Sequence, residues 1–203
     1  MKYIINERQY RLLTEEEQEV LQISSLNVFG GWESLQKFLE RRGNPLYSIG
    51  EDLSLRVMNV ESLGSLTSVG GNLDLRRTNI KSLGNLTSVG GSLFLNGCEN
   101  LTSLGNLTSV GGFLDLRGTN IESLGNLTSV GNSLDLRTTN IESLGALTSV
   151  GGNLNLTGCK KLTSLGNLTS VGGILDLKKT PISRKYSRAE IRQMVKVDGD
   201  IYL

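Results

Sequence analysis

The chain has 203 residues, and its 21 basic and 20 acidic side chains leave a net charge of +1. This balance argues against a large electrostatic surface for nucleic acid or for an anionic membrane. Histidine is absent, which excludes Ser-His-Asp and Cys-His catalysis, and the two cysteines alone do not complete a four-ligand zinc site, so neither a metal nor a cofactor is expected.

The N-terminal segment, residues 1–47, lacks the repeat that fills the rest of the chain and is predicted to be a helical cap. Capping-box patterns predict one helix that begins near residue 7 and another over residues 15–22. An apolar stripe predicts a third helix over residues 32–42. Because a solenoid must cover the apolar end of its first coil, we expect these helices to do so; the alternative is that they dock into a partner.

From residue 48 the chain is built on one repeated phrase, which at residues 66–85 is LTSVGGNLDLRRTNIKSLGN. A fixed period of 20–21 residues is typical of a solenoid, in which each copy forms one coil. Edge copies at residues 48–55 and 197–203 bring the predicted number of coils to about eight. The first leucine of the L-x-L core recurs at Leu53, Leu73, Leu93, Leu114, Leu134, Leu154 and Leu175.

Each copy is predicted to form a short strand on which side chains alternate, so that both leucines of L-x-L face inward. Stacked copies form a parallel sheet with strands about 4.8 Å apart. The glycines mark corners, and the rest of the copy is expected to form short strands or turns, because it has too many glycines for a helix. The predicted fold is mainly β, a right-handed parallel β-solenoid of about eight 20–21-residue leucine-rich-repeat-like coils with small α-helical caps at both ends.

The pattern L-x-L-x-x-[TC]-x-[IL] resembles the leucine-rich repeat, with Thr78 and Cys98 among the residues in the place of its usual asparagine or cysteine. The phrase LTSVGGxLxL is similar to the receptor L-domain repeat. The opening YIINERQYRLLTEEE resembles the starts of small proteins of tailed phages and their bacterial hosts. These resemblances imply binding to protein or glycan partners, and they carry over no catalytic residues.

After the last regular copy, a capping box at residues 187–190 predicts a helix that ends near Val195 and closes the solenoid. The predicted domains are therefore residues 1–47, the N-terminal cap, residues 48–183, the solenoid, and residues 184–203, the C-terminal cap with its terminal strand.

The two cysteines, Cys98 and Cys159, occupy inward positions three coils apart, about 14 Å at the strand spacing of a parallel sheet. A disulfide needs Cα atoms about 4.4–6.8 Å apart, so both are predicted to be free, buried thiols, which suit a reducing compartment. The sequence has no apolar run of signal-peptide or membrane-spanning length. A cytoplasmic or virion-associated location is therefore predicted.

Acidic residues form an outward row on the L-x-L strands, and each is followed two positions later by a base. Acid and base mostly vary together between copies, which indicates a charge lattice on the sheet surface. Two positioned carboxylates are also the groups that glycoside hydrolysis requires, so a carboxylate-based hydrolase is the remote alternative, although the sequence indicates no convergent polar pocket. The pairs are Asp74 with Arg76, Asp115 with Arg117, Asp135 with Arg137, and Asp176 with Lys178.

Two further patterns have plain structural interpretations. The phrase VGGNLDL is similar to the nonapeptide of calcium β-rolls but lacks its third glycine and its period, so calcium binding is not expected. A row of threonines is predicted to form hydrogen bonds between coils, with ice binding as the alternative. These threonines are Thr67, Thr87, Thr108, Thr128, Thr148 and Thr169.

The outward residues of the L-x-L strands differ between copies that are otherwise nearly identical in sequence. Phe94 replaces the usual acid, and Phe113 in the next copy is predicted to lie diagonally beside it. Scattered exposed apolar residues are normal, but two adjacent aromatics on a rigid sheet are typical interface anchors. We predict a non-catalytic protein-binding scaffold, with glycan binding or a structural virion or assembly role through self-association as alternatives, and with neither nucleic acid nor membrane as partner. The predicted partner site comprises Phe94, Phe113, Asp115, Arg117, Asp135 and Arg137.

Overall fold

A computed structural model describes residues 20–203, which form a mainly β parallel solenoid. The helix predicted near residue 7 lies outside the described residues. In chain order the strands are β1 (Leu21–Ile23), β2 (Tyr47–Ile49), β3 (Leu53–Ser54), β4 (Leu66–Val69), β5 (Leu73–Asp74), β6 (Ser88–Val89), β7 (Leu93–Phe94), β8 (Ser109–Val110), β9 (Leu114–Asp115), β10 (Ser129–Val130), β11 (Leu134–Asp135), β12 (Ser149–Val150), β13 (Leu154–Asn155), β14 (Ser170–Val171), β15 (Leu175–Asp176), β16 (Lys196–Val197) and β17 (Ile201–Tyr202).

Two parallel sheets run along the solenoid. Each coil contributes one strand to each sheet, and a corner separates the two strands. The L-x-L sheet has eight strands, the odd-numbered strands from β3 to β17. The other, which we call the serine–valine sheet, has nine strands, β1 together with the even-numbered strands. The predicted L-x-L sheet and the predicted short strands behind it are both confirmed.

Six coils carry the full repeat, the strand pairs from β4–β5 to β14–β15. The prediction of about eight coils also counted the modified pairs β2–β3 and β16–β17, which continue both sheets at the two ends. On the L-x-L sheet the register is maintained, since the first residue of each strand lies opposite its copy in the next coil, as Leu93 lies opposite Leu114. On the serine–valine sheet it shifts by one residue between β2 and β4. The fold class is therefore the one that the period predicts.

The core is a stack of inward side chains in which every predicted inward position is filled and buried. In the coil that starts at Leu66, the leucines and Ile80 are 0 % exposed. Thr78, which stands at the end of that L-x-L strand, donates its hydroxyl to the carbonyl oxygen of Leu75 at 2.8 Å. Cys98 takes the equivalent place in the next coil, and its thiol donates to the same oxygen. Both cysteines are free and buried, as predicted.

The first glycine of each corner is required because the backbones of adjacent coils approach closely there. A Cβ atom built on Gly111 would lie 2.1 Å from the carbonyl oxygen of Gly90 in the preceding coil. No real Cβ atom tolerates that contact, and the same contact recurs at every regular corner. Glycine at this position therefore sets how tightly the coils stack.

The N-terminal cap contains one predicted helix and one element that was predicted wrongly. Helix α1 (Trp32–Glu40) agrees with the helix predicted over residues 32–42, and Trp32, Leu35 and Leu39 are buried on its inner side. Residues 21 and 22, by contrast, belong to strand β1 rather than to the helix predicted over residues 15–22. Strand β1 pairs in parallel with β2, so the open edge of the serine–valine sheet outweighs local helix propensity.

The C-terminal cap is formed by two short helices between β15 and β16. Helix α3 (Arg188–Met194) has the predicted capping box, in which Ser187 and Glu190 exchange hydrogen bonds. Helix α2 (Pro181–Lys185) was not predicted; it begins at Thr180, whose hydroxyl accepts the backbone N–H of Ser183. Within the described residues, no helix has the length and apolar character needed to cross a membrane.

Candidate partner-binding face

The outer face of the L-x-L sheet carries one side chain from the middle of each L-x-L strand. The strand register places these residues in a single row that crosses all eight coils. Because the leucines on either side of the outward residues from Ser54 to Asp176 are buried, the backbone beneath this row is held rigidly by the core. In chain order the row is Ser54, Asp74, Phe94, Asp115, Asp135, Asn155, Asp176 and Tyr202.

Within a coil, each aspartate of this row is held by the base two residues later. Arg117 donates from Nε to one carboxylate oxygen of Asp115 at 2.8 Å and from a terminal nitrogen to the other at 2.6 Å. The backbone N–H of Arg117 also donates to Asp115, at 3.2 Å. Arg137 holds Asp135 in the same way. This fork geometry satisfies both oxygens of carboxylates that are only 2 % and 7 % exposed.

Neighbouring coils are linked through the same side chains, since Nε of Arg117 lies 3.5 Å from a carboxylate oxygen of Asp135. Asp115 and Asp135 lie opposite each other, and the arginine between them offsets their repulsion. The predicted charge lattice is therefore present.

The lattice also affects the acidity of Asp74. Burial alone would raise the pKa of Asp74, but the hydrogen bonds and the positive charge of Arg76 outweigh burial and hold that pKa below its ordinary value. A general acid for glycoside hydrolysis needs the opposite shift. Asp74 is therefore not suited to the role of general acid, and the hydrolase alternative stays a prediction for the other carboxylates of the row. Among residues 20–203, no cluster of three or more histidine, cysteine or acidic side chains is placed to hold a metal ion.

The two phenylalanines lie where the sequence predicts them, diagonally across adjacent coils. Their ring centroids are 6.2 Å apart and their planes are inclined by 55°. Both rings are half-buried. The backbone N–H of Phe113 donates to the hydroxyl of Ser92 at 3.0 Å, which fixes the start of its strand. The pair forms an apolar island between polar neighbours, and the other apolar side chains of this face, Ile174 and Tyr202, lie at its C-terminal end.

All six residues of the predicted site lie on or directly beside three neighbouring strands of the L-x-L sheet, β7, β9 and β11, and form one continuous strip. Sequence reasoning missed Arg76, whose guanidinium carbon lies 5.2 Å from the centroid of the Phe94 ring. The sequence pattern paired Arg76 only with Asp74 of its own coil. The sequence of a single repeat does not indicate that the Arg76 side chain also reaches Phe94 in the next coil. A second such contact joins Lys178 to Tyr202, with Nζ 4.3 Å from the ring centroid.

The opposite face, on the serine–valine sheet, has an open groove of about 660 Å³. Small uncharged residues line it apart from Lys196 and Asp198 at one end. Beside it runs the threonine row, in which each hydroxyl donates to a carbonyl oxygen of the preceding coil, as Thr128 does to Thr108 at 3.0 Å. The interpretation of this row as hydrogen bonding between coils is confirmed.

Comparison of the chain with protein-family models, with curated proteins and with solved structures gives no match in any of the three. The resemblance to leucine-rich repeats, to receptor L-domains and to phage proteins therefore rests on the sequence motifs alone. The structure supports the coarser statement, a parallel β-solenoid of stacked coils with leucine-rich strands about 20 residues apart.

Proposed function

We propose that this chain is a non-catalytic scaffold that binds a protein partner through the outer face of the L-x-L sheet, around Phe94 and Phe113. The observation that carries the proposal is the pair of half-buried rings, 6.2 Å apart, on a face where the neighbouring aspartates are held in ion pairs. Large aromatic side chains at the centre of a contact commonly supply most of its binding free energy.

The rigidity of this face supports the same proposal. The leucines that flank Phe94 and Asp115 on their strands are 0 % exposed, so the backbone of this face is already ordered and loses little conformational entropy on binding. Binding a partner to ordered side chains costs less conformational entropy than ordering a flexible loop. The bidentate ion pairs around the rings contribute in the same way, because they keep long arginine side chains in place.

We further infer that the protein works in a reducing compartment, which suits the predicted cytoplasmic or virion-associated location. The support is that Cys98 and Cys159 are free thiols within the core.

The test is a tagged capture of binding proteins from the native source, identified by mass spectrometry. We expect a partner that the wild type retains and the double variant Phe94→Asp/Phe113→Asp loses, because two charges would replace the apolar island. The matched control is Phe29→Asp/Phe38→Asp, which disrupts the other aromatic pair, in the N-terminal cap, with centroids 4.8 Å apart. Circular dichroism establishes that each variant is folded. A partner lost only in the control would place the binding site on the cap and contradict the proposal.

A further inference from the structure

The turn that follows each L-x-L strand gives the binding face one basic edge. The two positions after the second leucine hold seven basic residues and no acidic one in the seven turns that follow β3 to β15. They are Arg56, Arg76, Arg77, Arg117, Arg137, Lys178 and Lys179. Four of these have an acidic partner in the row of outward residues.

Three bases lack a carboxylate partner of their own, although the charge of Arg56 still acts on Asp74 of the next coil, which Arg76 holds. In the part of the chain that the structure describes, the side chains of Arg56, Arg77 and Lys179 form neither a hydrogen bond nor an ion pair, and all three residues are exposed. By contrast, the four aspartates of the row are all held by a base. The net charge along this edge of the face is therefore positive, whereas the exposed acids Asp52 and Asp200 lie at the other edge, before the first and last L-x-L strands.

Two of these bases lie on the N-terminal side of the aromatic pair. Arg56 and Arg77 belong to the two coils that precede the coil of Phe94. The Arg77 side chain runs towards that coil, because its Cγ lies 3.2 Å from the point where Gly97 would carry a Cβ atom. Together with Arg76 over the Phe94 ring, they form a positive border on one side of the apolar island.

The double-basic turn beside the aromatic pair has a counterpart at the other end of the sheet. Arg76 lies over the ring of Phe94 in the next coil, and Lys178 of the turn Lys178–Lys179 lies over the ring of Tyr202 in the same way. The second residue of each turn has a left-handed backbone, with a φ of 56° at Arg77 and 60° at Lys179, a conformation that every coil adopts at this position whether or not the residue is basic. The observation that repeats is therefore a pair of bases beside an aromatic ring.

We infer that the partner is an acidic protein segment, which places carboxylates against Arg56 and Arg77 while an apolar side chain rests on Phe94 and Phe113. This inference rests on the proposed function and specifies its partner. Charge complementarity at the border of a contact governs the choice of partner and the rate of association more than the total affinity. The face would therefore reject basic segments, whose charges would meet unpaired guanidinium groups.

The test uses two labelled peptides of about ten residues, long enough in extended form to cross roughly 30 Å of this face. One alternates glutamate with leucine, and the other alternates lysine with leucine. Binding is followed by fluorescence anisotropy at an ionic strength of about 0.1 M or lower, where screening is weak. We expect the wild type to prefer the acidic peptide, and Phe94→Asp/Phe113→Asp to lose that binding.

The decisive variant is Arg56→Glu/Arg77→Glu. It should lower the affinity for the acidic peptide by about tenfold or more and gain affinity for the lysine peptide. A gain of binding cannot arise from misfolding. The matched control is Arg184→Glu/Arg188→Glu, which makes the same charge change on exposed residues of α2 and α3 and should alter neither affinity.

Three outcomes would overturn the inference. The first is a wild type that does not discriminate between the peptides, and the second is an Arg56→Glu/Arg77→Glu variant with unchanged preferences. The third is a single-stranded oligonucleotide of similar length that binds more tightly than the acidic peptide. If a captured partner depends on Phe94 and Phe113 but not on Arg56 and Arg77, the inference fails while the proposed function stands.

Discussion

At the scale of single residues, Tyr47 is the largest side chain that the core buries completely. Its hydroxyl donates to the carbonyl oxygen of Leu63 at 2.9 Å and accepts from the amide of Gln36 at 3.3 Å. Burial raises the pKa of Tyr47 to about 12, although the hydrogen bond from Gln36 acts in the opposite direction. The folded state therefore keeps this phenol protonated at pH values where the unfolded chain has lost the proton.

This shift predicts a loss of stability in alkali. A raised folded-state pKa means that the contribution of Tyr47 is complete below its ordinary pKa of 10.0 and is lost as the pH rises to about 12. The free energy of unfolding of the wild type should fall by roughly 2–3 kcal/mol across that interval on this account alone. Tyr47→Phe should lack this part of the fall, while being about 1–3 kcal/mol less stable at neutral pH because the Leu63 carbonyl loses its donor.

Urea unfolding at about pH 8 and in steps towards pH 12 measures both effects. Tyr202→Phe, on the half-exposed strand β17, controls for the loss of a phenol as such. Equal alkaline slopes in the wild type and Tyr47→Phe would show that another group is responsible.

The inward leucines, the two cysteines and the phenylalanine pair could be predicted from the sequence, because each follows from the period and from side-chain alternation. The contacts of Tyr47 and of Arg76 could not. Tyr47 stands at the junction of cap and solenoid, where its partners Gln36 and Leu63 come from outside the repeat. Arg76 reaches across to another coil, and only its side-chain conformation determines that contact.

At the scale of elements, the corner between the two strands of a coil limits what the repeat can accept. Gly111→Ala should destabilise the protein by about 3 kcal/mol or more, because the new methyl group would meet the Gly90 oxygen at 2.1 Å and the coils would have to separate. Gly50 occupies the same corner position in the first strand pair, where the nearest atom would be 3.6 Å away. Gly50→Ala should therefore change stability by less than about 1 kcal/mol, in either direction.

Thermal unfolding of the two variants side by side measures this difference. A Gly111→Ala protein as stable as Gly50→Ala would mean that the coils can separate at no cost, which would contradict the close stacking inferred here.

The elements that sequence analysis missed lie where the repeat ends. The first two residues of strand β1 were predicted as helix because the capping-box pattern at residues 14–17 predicts a helix that extends to Gln22, yet the edge of β2 offers parallel hydrogen bonds that an isolated helix cannot match. Helix α2 was missed because Thr180 continues the threonine position of the repeat. The same hydroxyl that closes the turn in other coils here also accepts a backbone N–H and starts a helix with Pro181 at its first position.

At the scale of the whole molecule, the two ends of the solenoid bear on the predicted alternative in which copies stack end to end. Asp52 and Asp200 occupy equivalent positions, one before strand β3 and the other before strand β17. Head-to-tail stacking in register would bring these two acids together, and like charges directly opposite each other are unfavourable. Charged residues at the ends of a sheet commonly protect it from adding further strands.

The edge of the serine–valine sheet at β16 has a more specific protection. Arg192 of α3 donates to the carbonyl oxygen of Val197 at 2.6 Å and to that of Gly199 at 2.8 Å. In every regular coil the equivalent carbonyls accept N–H groups from the coil that follows, as the carbonyls of Val89 and Gly91 do. A guanidinium fork thus satisfies acceptors that would otherwise be available to another strand.

We therefore expect the weight-average mass of the wild type, measured by light scattering, to stay constant as its concentration rises. Arg192→Ala should make that mass increase with concentration, because it frees the two carbonyl groups for strand addition. Arg184→Ala, which removes the same charge from the neighbouring helix α2, should behave like the wild type.

Association of the wild type itself would favour the assembly role over the binding role. A constant mass for Arg192→Ala would mean that the acidic ends alone keep the copies apart, and adding Asp52→Asn and Asp200→Asn to Arg192→Ala would then be the variant that associates.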